Sequence, residues 1–297
     1  MFQGTLHRVL KSTFAALALV AATGAPAAER YDTLLVDGLI VDGSGEAPYV
    51  ADLAIRGDRI AAIGDLDPAA ADTVIDASGK AVSPGFINMM AWSVIDLIKD
   101  GRGMSDLTQG ITLEVFGEGN SMGPLTAAMK ADFPKYWDGV EAEWTTLGEY
   151  LEFLEDRGVS PNVASFIGAT TPRAYVLGMD DVDPTPAQLA AMQDLVREAM
   201  REGAMGVASS LIYTPGNFAE TDELVALASA AGEFGGIYAS HVRNEGKGVF
   251  AAVEELITIA READVPAEIY HLKMAHPSVW GRFDELIARI EGARGEG

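Results

Sequence analysis

The sequence contains no cysteine, which excludes disulfides, zinc fingers and thiol nucleophiles. Basic residues are also scarce, since 21 Lys and Arg stand against 44 Asp and Glu and leave a net charge of −23. Such a charge repels phosphate backbones, and no clustered basic face offsets it, so we predict no nucleic-acid partner. The 297 residues are 48% hydrophobic and 8% aromatic, which is ordinary for a globular core and argues against disorder.

Long hydrophobic runs are missing too, and the apolar stretch near the N-terminus is short. Arg8 and Lys11 precede an apolar run over residues 14–22, and small residues follow at 25–27. A membrane span needs about 20 apolar residues, and a core helix would not show this order of charge, apolar run and small residues. We therefore predict a signal peptide over residues 1–28, a periplasmic or secreted protein, and no membrane attachment after cleavage.

Two patterns of predicted secondary structure divide the rest of the chain. Residues 29–83 contain short β-type runs broken by turn signals such as Asp37-Gly38 and Asp42-Gly43, which predict a small antiparallel β-module. From Pro84 onward strands alternate with helices, which is typical of a parallel sheet wrapped by helices. The predicted strands of this part cover residues 86–90, 111–116, 163–167, 205–209, 236–241 and 267–271.

These strands and their helices make about six βα units, whereas a closed (β/α)8 barrel has eight and about 250 residues. We predict the α/β class, with an incomplete (β/α)8 TIM-like barrel over residues 84–297 that is truncated at its C-terminal end. An open doubly wound sheet is the alternative that this alternation leaves open.

Histidines number four, and their placement is informative. His7 would leave with the signal peptide, whereas His241 and His271 close the fifth and sixth predicted strands. Because the carboxyl ends of barrel strands converge at one mouth, two imidazoles there predict ligands for zinc, which binds nitrogen and oxygen at about 2.0–2.2 Å. The alternative is that each histidine caps its strand by a hydrogen bond.

Carboxylates near the second strand could complete such a site. Glu118 lies between Gly117 and Gly119, and flanking glycines let the backbone turn sharply toward the mouth. Glu114, inside the same strand, is the other candidate, because a buried carboxylate must be paired. Either one could be a structural or solvated residue instead.

Three further polar residues follow the predicted strands. Lys273 lies two residues beyond His271, so strand alternation would direct both side chains to one side, where a cation suits an anionic substrate group. Tyr213 follows the fourth strand and could donate a hydrogen bond into the same mouth. Arg243 is expected to brace a carboxylate.

Several segments together resemble the N-acyl-D-amino-acid deacylases of the amidohydrolase superfamily. They span roughly residues 36–281 and are VDGSGEAPYVADLAIRGDRIAAIGDL, PGFIN, QGITLEVFGEGNSMGPL, GVASSLIYTPG, YASHVRNEG and IYHLK. The resemblance implies a barrel beside a small β-sandwich built from both chain termini. It also implies one zinc ion, held here by His241 and His271, with Lys273 and Tyr213 binding the carboxylate of a small N-acyl amino acid.

The sequence departs from the family's pattern at three places. The paired histidines of the first strand fall at Met90 and Trp92, so we expect no second metal and predict that both pack as apolar residues. The family's cysteine ligand falls at Gly119, and we expect neighbouring Glu118 to substitute for it. The catalytic aspartate belongs to an eighth strand beyond residue 297, so no residue here is assigned as catalytic.

The resemblance implies a hydrolase of carbon–nitrogen bonds that cleaves the N-acyl amide of N-acyl-D-amino acids, or related amides, with metal-activated water. We expect this activity of the complete gene product and expect the 297 residues alone to be inactive. A catalytically dead binding protein and a non-functional gene fragment are the alternatives.

Overall fold

The computed structural model describes residues 30–296, so the predicted signal peptide and His7 lie outside the described residues. The chain divides after Pro84 into two compact units. No helix between residues 30 and 296 is long and apolar enough to cross a bilayer.

In the first unit, the described strands form one five-stranded sheet. They are β1 (Tyr31–Ile40), β2 (Tyr49–Arg56), β3 (Arg59–Gly64), β4 (Ala71–Asp76) and β5 (Ala81–Val82). Their order is β3-β2-β1-β4, with β5 also pairing with β1. The prediction of a wholly antiparallel module is wrong, because β1 pairs with β4 and β5 in parallel.

The Asp37-Gly38 pair is a bulge inside β1 and not the turn that was predicted. The pairing of β1 with β2 shifts register between Leu35 and Gly38, and Asp37 adopts a φ of 58°. A Cβ atom at Gly38 would lie 2.6 Å from Val82 Cγ2, so the close approach of the neighbouring strand requires glycine there. The dipeptide therefore bends the strand without ending it.

The second unit contains seven short strands between residues 85 and 296. They are β6 (Phe86–Asn88), β7 (Ile111–Phe116), β8 (Asn162–Ser165), β9 (Ile167–Gly168), β10 (Gly206–Ser210), β11 (Ile237–His241) and β12 (Ala267–Ile269). Every neighbouring pair is parallel. β8 and β9 flank Phe166, whose N–H donates to the Phe116 carbonyl at 2.9 Å, so they extend along one line between β7 and β10. Six consecutive strand positions follow chain order, which confirms the predicted partial TIM-like barrel.

Helices separate these strands along the chain. They are α1 (Asp96–Lys99), α2 (Met104–Leu107), α3 (Ala127–Tyr136), α4 (Leu147–Arg157), α5 (Thr170–Leu177), α6 (Pro186–Arg201), α7 (Thr221–Gly232), α8 (Val249–Ala263) and α9 (Phe283–Glu296). Residues at the helix N-termini determine where the helices begin. At α6, Thr185 and Gln188 form a reciprocal capping box, and Pro186 occupies the first turn, where its missing N–H costs nothing.

Side-chain alternation gives the barrel two apolar layers. The inner layer consists of Val115, Phe166, Ala208, Ala239 and Tyr270, which lie on or directly after successive strands. Phe116 and Val207, the neighbours of inner residues, belong instead to the larger cluster that packs against the helices. The inner layer fills the space beneath the carboxyl ends of the strands, and Met90 packs against it as predicted.

The first barrel strand differs from its prediction. β6 ends at Asn88, whereas the prediction ran to residue 90, and Phe86 and Ile87 are 60% and 54% exposed although a buried strand was expected. Among the described residues β6 pairs with β7 alone, so its other edge has no strand to cover these side chains.

Candidate metal centre

His241 and His271 lie side by side at the carboxyl end of the barrel strands. His241 is the last residue of β11 and is buried. β12 ends at Ile269, so His271 lies two residues past the strand, with a φ of 35°, and does not close it as predicted. The two ring centroids are 4.4 Å apart and the rings are nearly perpendicular. Both imidazoles therefore face one small volume.

Glu118 reaches that volume from the turn after β7. Gly117 and Gly119 have φ values of 103° and 74°, which favour glycine. A Cβ at residue 117 would lie 2.3 Å from the Phe166 carbonyl oxygen, and one at residue 119 would lie 2.6 Å from Ser210 Cβ. A cysteine at 119, where the resemblance places one, would thus collide, and the turn presents Glu118 instead.

The three side chains meet at distances that suit a shared cation. Glu118 Oε1 lies 3.0 Å from His241 Nδ1 and 3.6 Å from His271 Nε2, and one ligand atom from each residue falls within 4.8 Å of the others. Tetrahedral zinc with bonds of about 2.0–2.1 Å separates its ligands by roughly 3.3 Å. The Nδ1 atom of His241 faces Glu118, whereas its Nε2 atom, 3.4 Å from Glu245 Oε1, is buried without a hydrogen-bond partner. The donor set therefore fits zinc.

Glu245 also borders the centre, and sequence reasoning missed it. Its Oε1 lies 3.4 Å from His241 Nε2 and 3.2 Å from His271 Nδ1, and it forms an ion pair with Lys273. The loop after β11 turns Glu245 inward because Asn244 Oδ1 accepts hydrogen bonds from two backbone N–H groups further along it. The sequence did contain a signal for Glu245, because this acidic residue follows His241 by four residues in a loop that contains the turn-forming residue Asn244.

The residues predicted to bind substrate lie at the rim. Lys273 is half-exposed, with its Nζ 2.9 Å from His271 Nδ1. Because β12 ends early, Lys273 reaches this place from a loop, and the strand-alternation argument for it does not apply. Tyr213 is exposed, and its ring stands nearly perpendicular to that of His241 at 5.5 Å. It lines a cavity of about 320 Å³ together with Glu118 and Trp92.

Two other polar candidates face away from the cluster. Glu114 alternates with the inner residue Val115, is fully buried and accepts a hydrogen bond from Ser93 Oγ. Burial raises the pKa of the Glu114 carboxyl, and the three-residue cluster does not include it. Arg243 donates to Glu255 at 2.8 Å and to the Ala219 carbonyl at 2.7 Å, so it braces a carboxylate on α8 against the loop after β10.

Trp92 does not pack as an apolar residue, so this prediction is wrong. Its side chain lies at the mouth, 46% exposed, and its Nε1–H donates to Glu118 Oε2 at 2.8 Å. The indole N–H usually donates a hydrogen bond, and a prediction based on hydrophobicity alone does not consider this donor.

The turn that carries Glu118 packs directly on Gly168, which gives a first prediction. A Cβ at Gly168 would lie 2.3 Å from the Gly119 carbonyl oxygen. We expect Gly168→Ala to lower the free energy of unfolding by about 1–3 kcal/mol, as overpacking does, and to weaken zinc binding by displacing the turn. Urea denaturation and zinc titration measure the two effects.

Gly292→Ala is the matched control, since nothing lies within 4 Å of a Cβ there and the residue is inside α9. Alanine should stabilise that helix by up to about 1 kcal/mol. A Gly168→Ala variant as stable as the wild type would contradict the close contact between these two backbone segments.

Comparison with known proteins finds several N-acyl-D-amino-acid deacylases that are similar to this chain. D-aminoacylase from Alcaligenes xylosoxydans xylosoxydans is 38% identical over 267 residues, which are 89% of this chain and 55% of that protein. A crystal structure of D-aminoacylase superposes with a TM-score of 0.81 at 35% identity, over 89% of this chain and 56% of the other. The chain belongs to the D-aminoacylase family of amidohydrolases. The resemblance noted in the sequence is thereby confirmed, although no protein-family model matches the chain.

A second solved relative was determined with a metal. N-acyl-D-glutamate deacylase from Bordetella bronchiseptica, in complex with zinc and a phosphonate inhibitor that mimics the tetrahedral intermediate, superposes with a TM-score of 0.80 at 34% identity. The match covers 91% of this chain and 57% of that one. This chain spans about half the length of the curated D-aminoacylase family relatives it matches.

Proposed function

We propose that the complete gene product is a zinc-dependent amidohydrolase that hydrolyses the N-acyl amide bond of N-acyl-D-amino acids. The observation that carries this proposal is the convergence of Glu118, His241 and His271 within 4.8 Å, in a chain of the D-aminoacylase family. Two imidazoles and one carboxylate are a ligand set of catalytic zinc sites, which keep a further position for water or substrate. We propose one ion per chain.

The surrounding residues have distinct roles in this proposal. A bound zinc ion would polarise the amide carbonyl and lower the pKa of a water molecule to about 7. Lys273, half-exposed and held beside His271 by its ion pair with Glu245, offers its ammonium group to the substrate carboxylate. Tyr213, at the cavity rim, offers its hydroxyl to the same carboxylate. Charge and hydrogen bonding together would orient the amino acid part of the substrate.

We also propose that the protein acts outside the cytoplasm. The support is the order of Arg8 and Lys11, the apolar run and the small residues before position 28. Fractionation of cells that produce the protein, followed by N-terminal sequencing, tests this. An intact N-terminus in the cytoplasmic fraction would contradict it.

Metal removal and substrate handedness test the proposed activity. The protein is produced from its complete reading frame and assayed on N-acetyl-D-leucine, N-acetyl-D-glutamate and their L-enantiomers. We expect hydrolysis to stop after chelation, to return with added zinc, and to favour a D-substrate by roughly 100-fold, within the range that pocket contacts achieve. Turnover that survives complete chelation, or that favours the L-enantiomers, would overturn the proposal.

A further inference from the structure

We infer that Trp92 is a positioning residue of the metal centre, which fixes the Glu118 carboxylate so that one oxygen faces the two imidazoles. This inference rests on the proposed zinc site, but it concerns how the chain orients its own ligand. The indole cannot itself be a ligand, because its N–H is a donor without an acceptor lone pair in the ring plane.

The two carboxylate oxygens have separate partners. Oε2 accepts the Trp92 Nε1–H bond at 2.8 Å, whereas Oε1 lies 3.0 Å and 3.6 Å from the nearer nitrogens of His241 and His271. Rotating the carboxylate would break the indole bond, so the bond selects one orientation. Groups that hydrogen-bond to a metal ligand set its direction and its basicity in this way.

The residues next to Glu118 in the chain contribute no side-chain contact to it, although the glutamate itself is buried. Its neighbours Gly117 and Gly119 have no side chains, and both adopt the left-handed region that suits glycine. Within residues 30–296, the side-chain donor to Oε2 is the Trp92 indole. Burial already restricts the torsions of Glu118, and the indole bond also fixes its terminal carboxylate, which lowers the entropic cost of binding a metal.

The exposure of Trp92 also favours a polar role over a packing role. Nearly half of the side chain is open to solvent, whereas apolar packing would bury it in the cluster that Met90 contacts. With Oε2 occupied by the indole, Glu118 offers the ion a single oxygen. One-oxygen binding leaves room around the ion for water or substrate.

Two variants separate the N–H from the ring. Trp92→Phe keeps an aromatic ring without the donor, and Trp92→Leu removes both. We expect each to weaken zinc binding by about 10- to 100-fold and to change the visible absorption spectrum of the cobalt-substituted protein. The matched control is Trp280→Phe, which removes another exposed indole whose Nε1–H donates to the Met274 carbonyl at 2.8 Å. It should leave both readouts unchanged.

Urea denaturation of the metal-free variants shows whether each remains folded, and a half-exposed ring should cost little stability. A Trp92→Phe variant with wild-type zinc affinity and cobalt spectrum overturns the inference, and so does a loss confined to Trp92→Leu, which would assign the effect to the ring. Those outcomes leave the metal site intact. A wild-type protein that binds no zinc instead overturns the proposed metal site, and the role of Trp92 with it.

Discussion

Replacing His241 with alanine should abolish stable zinc binding, with the bound metal falling from one ion per chain to below about one tenth after dialysis. His241 is one of two imidazoles in the cluster, and it is buried against Glu118 and His271. Structural zinc sites bind with about 10–16 kcal/mol in all, so losing one protein ligand of three removes several kcal/mol, on the order of 10³-fold in affinity. Elemental analysis and competition with a chromogenic chelator measure both quantities.

His276→Ala is the matched control, because the His276 imidazole caps the short helical turn at Pro277–Val279 and lies outside the cluster. It should retain a full equivalent of zinc. Equal retention by the two variants would contradict the assignment of His241 as a ligand.

Replacing Arg173 with methionine should lower the free energy of unfolding by about 3–5 kcal/mol, the usual cost of breaking a buried ion pair. Arg173 on α5 and Glu223 on α7 have side chains only 1% and 3% exposed. Arg173 also donates to the Val182 carbonyl at 2.7 Å. Burial raises the pKa of the Glu223 carboxyl, and the Arg173 guanidinium opposes that rise. Without the arginine, the carboxylate is left buried and unpaired.

Urea denaturation measures this loss, and Arg197→Met is the control. Arg197 pairs with Glu233 at 2.7 Å on a more exposed surface, so its loss should cost less than about 1 kcal/mol. The double variant Arg173→Met, Glu223→Leu should recover part of the stability, since no charge stays buried alone. A single Arg173→Met variant within 1 kcal/mol of the wild type would contradict this account.

Local sequence signals predicted the elements that depend on local chemistry. Helix α6 (Pro186–Arg201) is such an element, because its capping residues and its N-terminal proline both favour a helix that begins there. The strand–helix alternation also predicted the partial barrel, since parallel strands have few other arrangements. The prediction of a turn at Asp37-Gly38 was wrong because the same dipeptide suits both a turn and a bulge. The pairing of β1 with β2 and β5 decides between the two.

The sequence predicts some residues of the metal centre but not all of them. The end of β11 predicted His241 and a glycine-flanked turn predicted Glu118, because both follow from backbone position, whereas His271 lies two residues beyond β12. Glu245 and Trp92 reach the centre through loop conformation, which depends on contacts such as the Asn244 turn that no periodicity encodes. Hydrophobicity assigned Trp92 to apolar packing, whereas the structure uses its N–H.

A crystal structure of the zinc-loaded protein, with diffraction data collected on both sides of the zinc absorption edge, tests the proposed ligand set directly. We expect one anomalous peak about 2.0–2.2 Å from a carboxylate oxygen of Glu118 and from one imidazole nitrogen each of His241 and His271. Zinc bound at other residues, with none between these three, would contradict it.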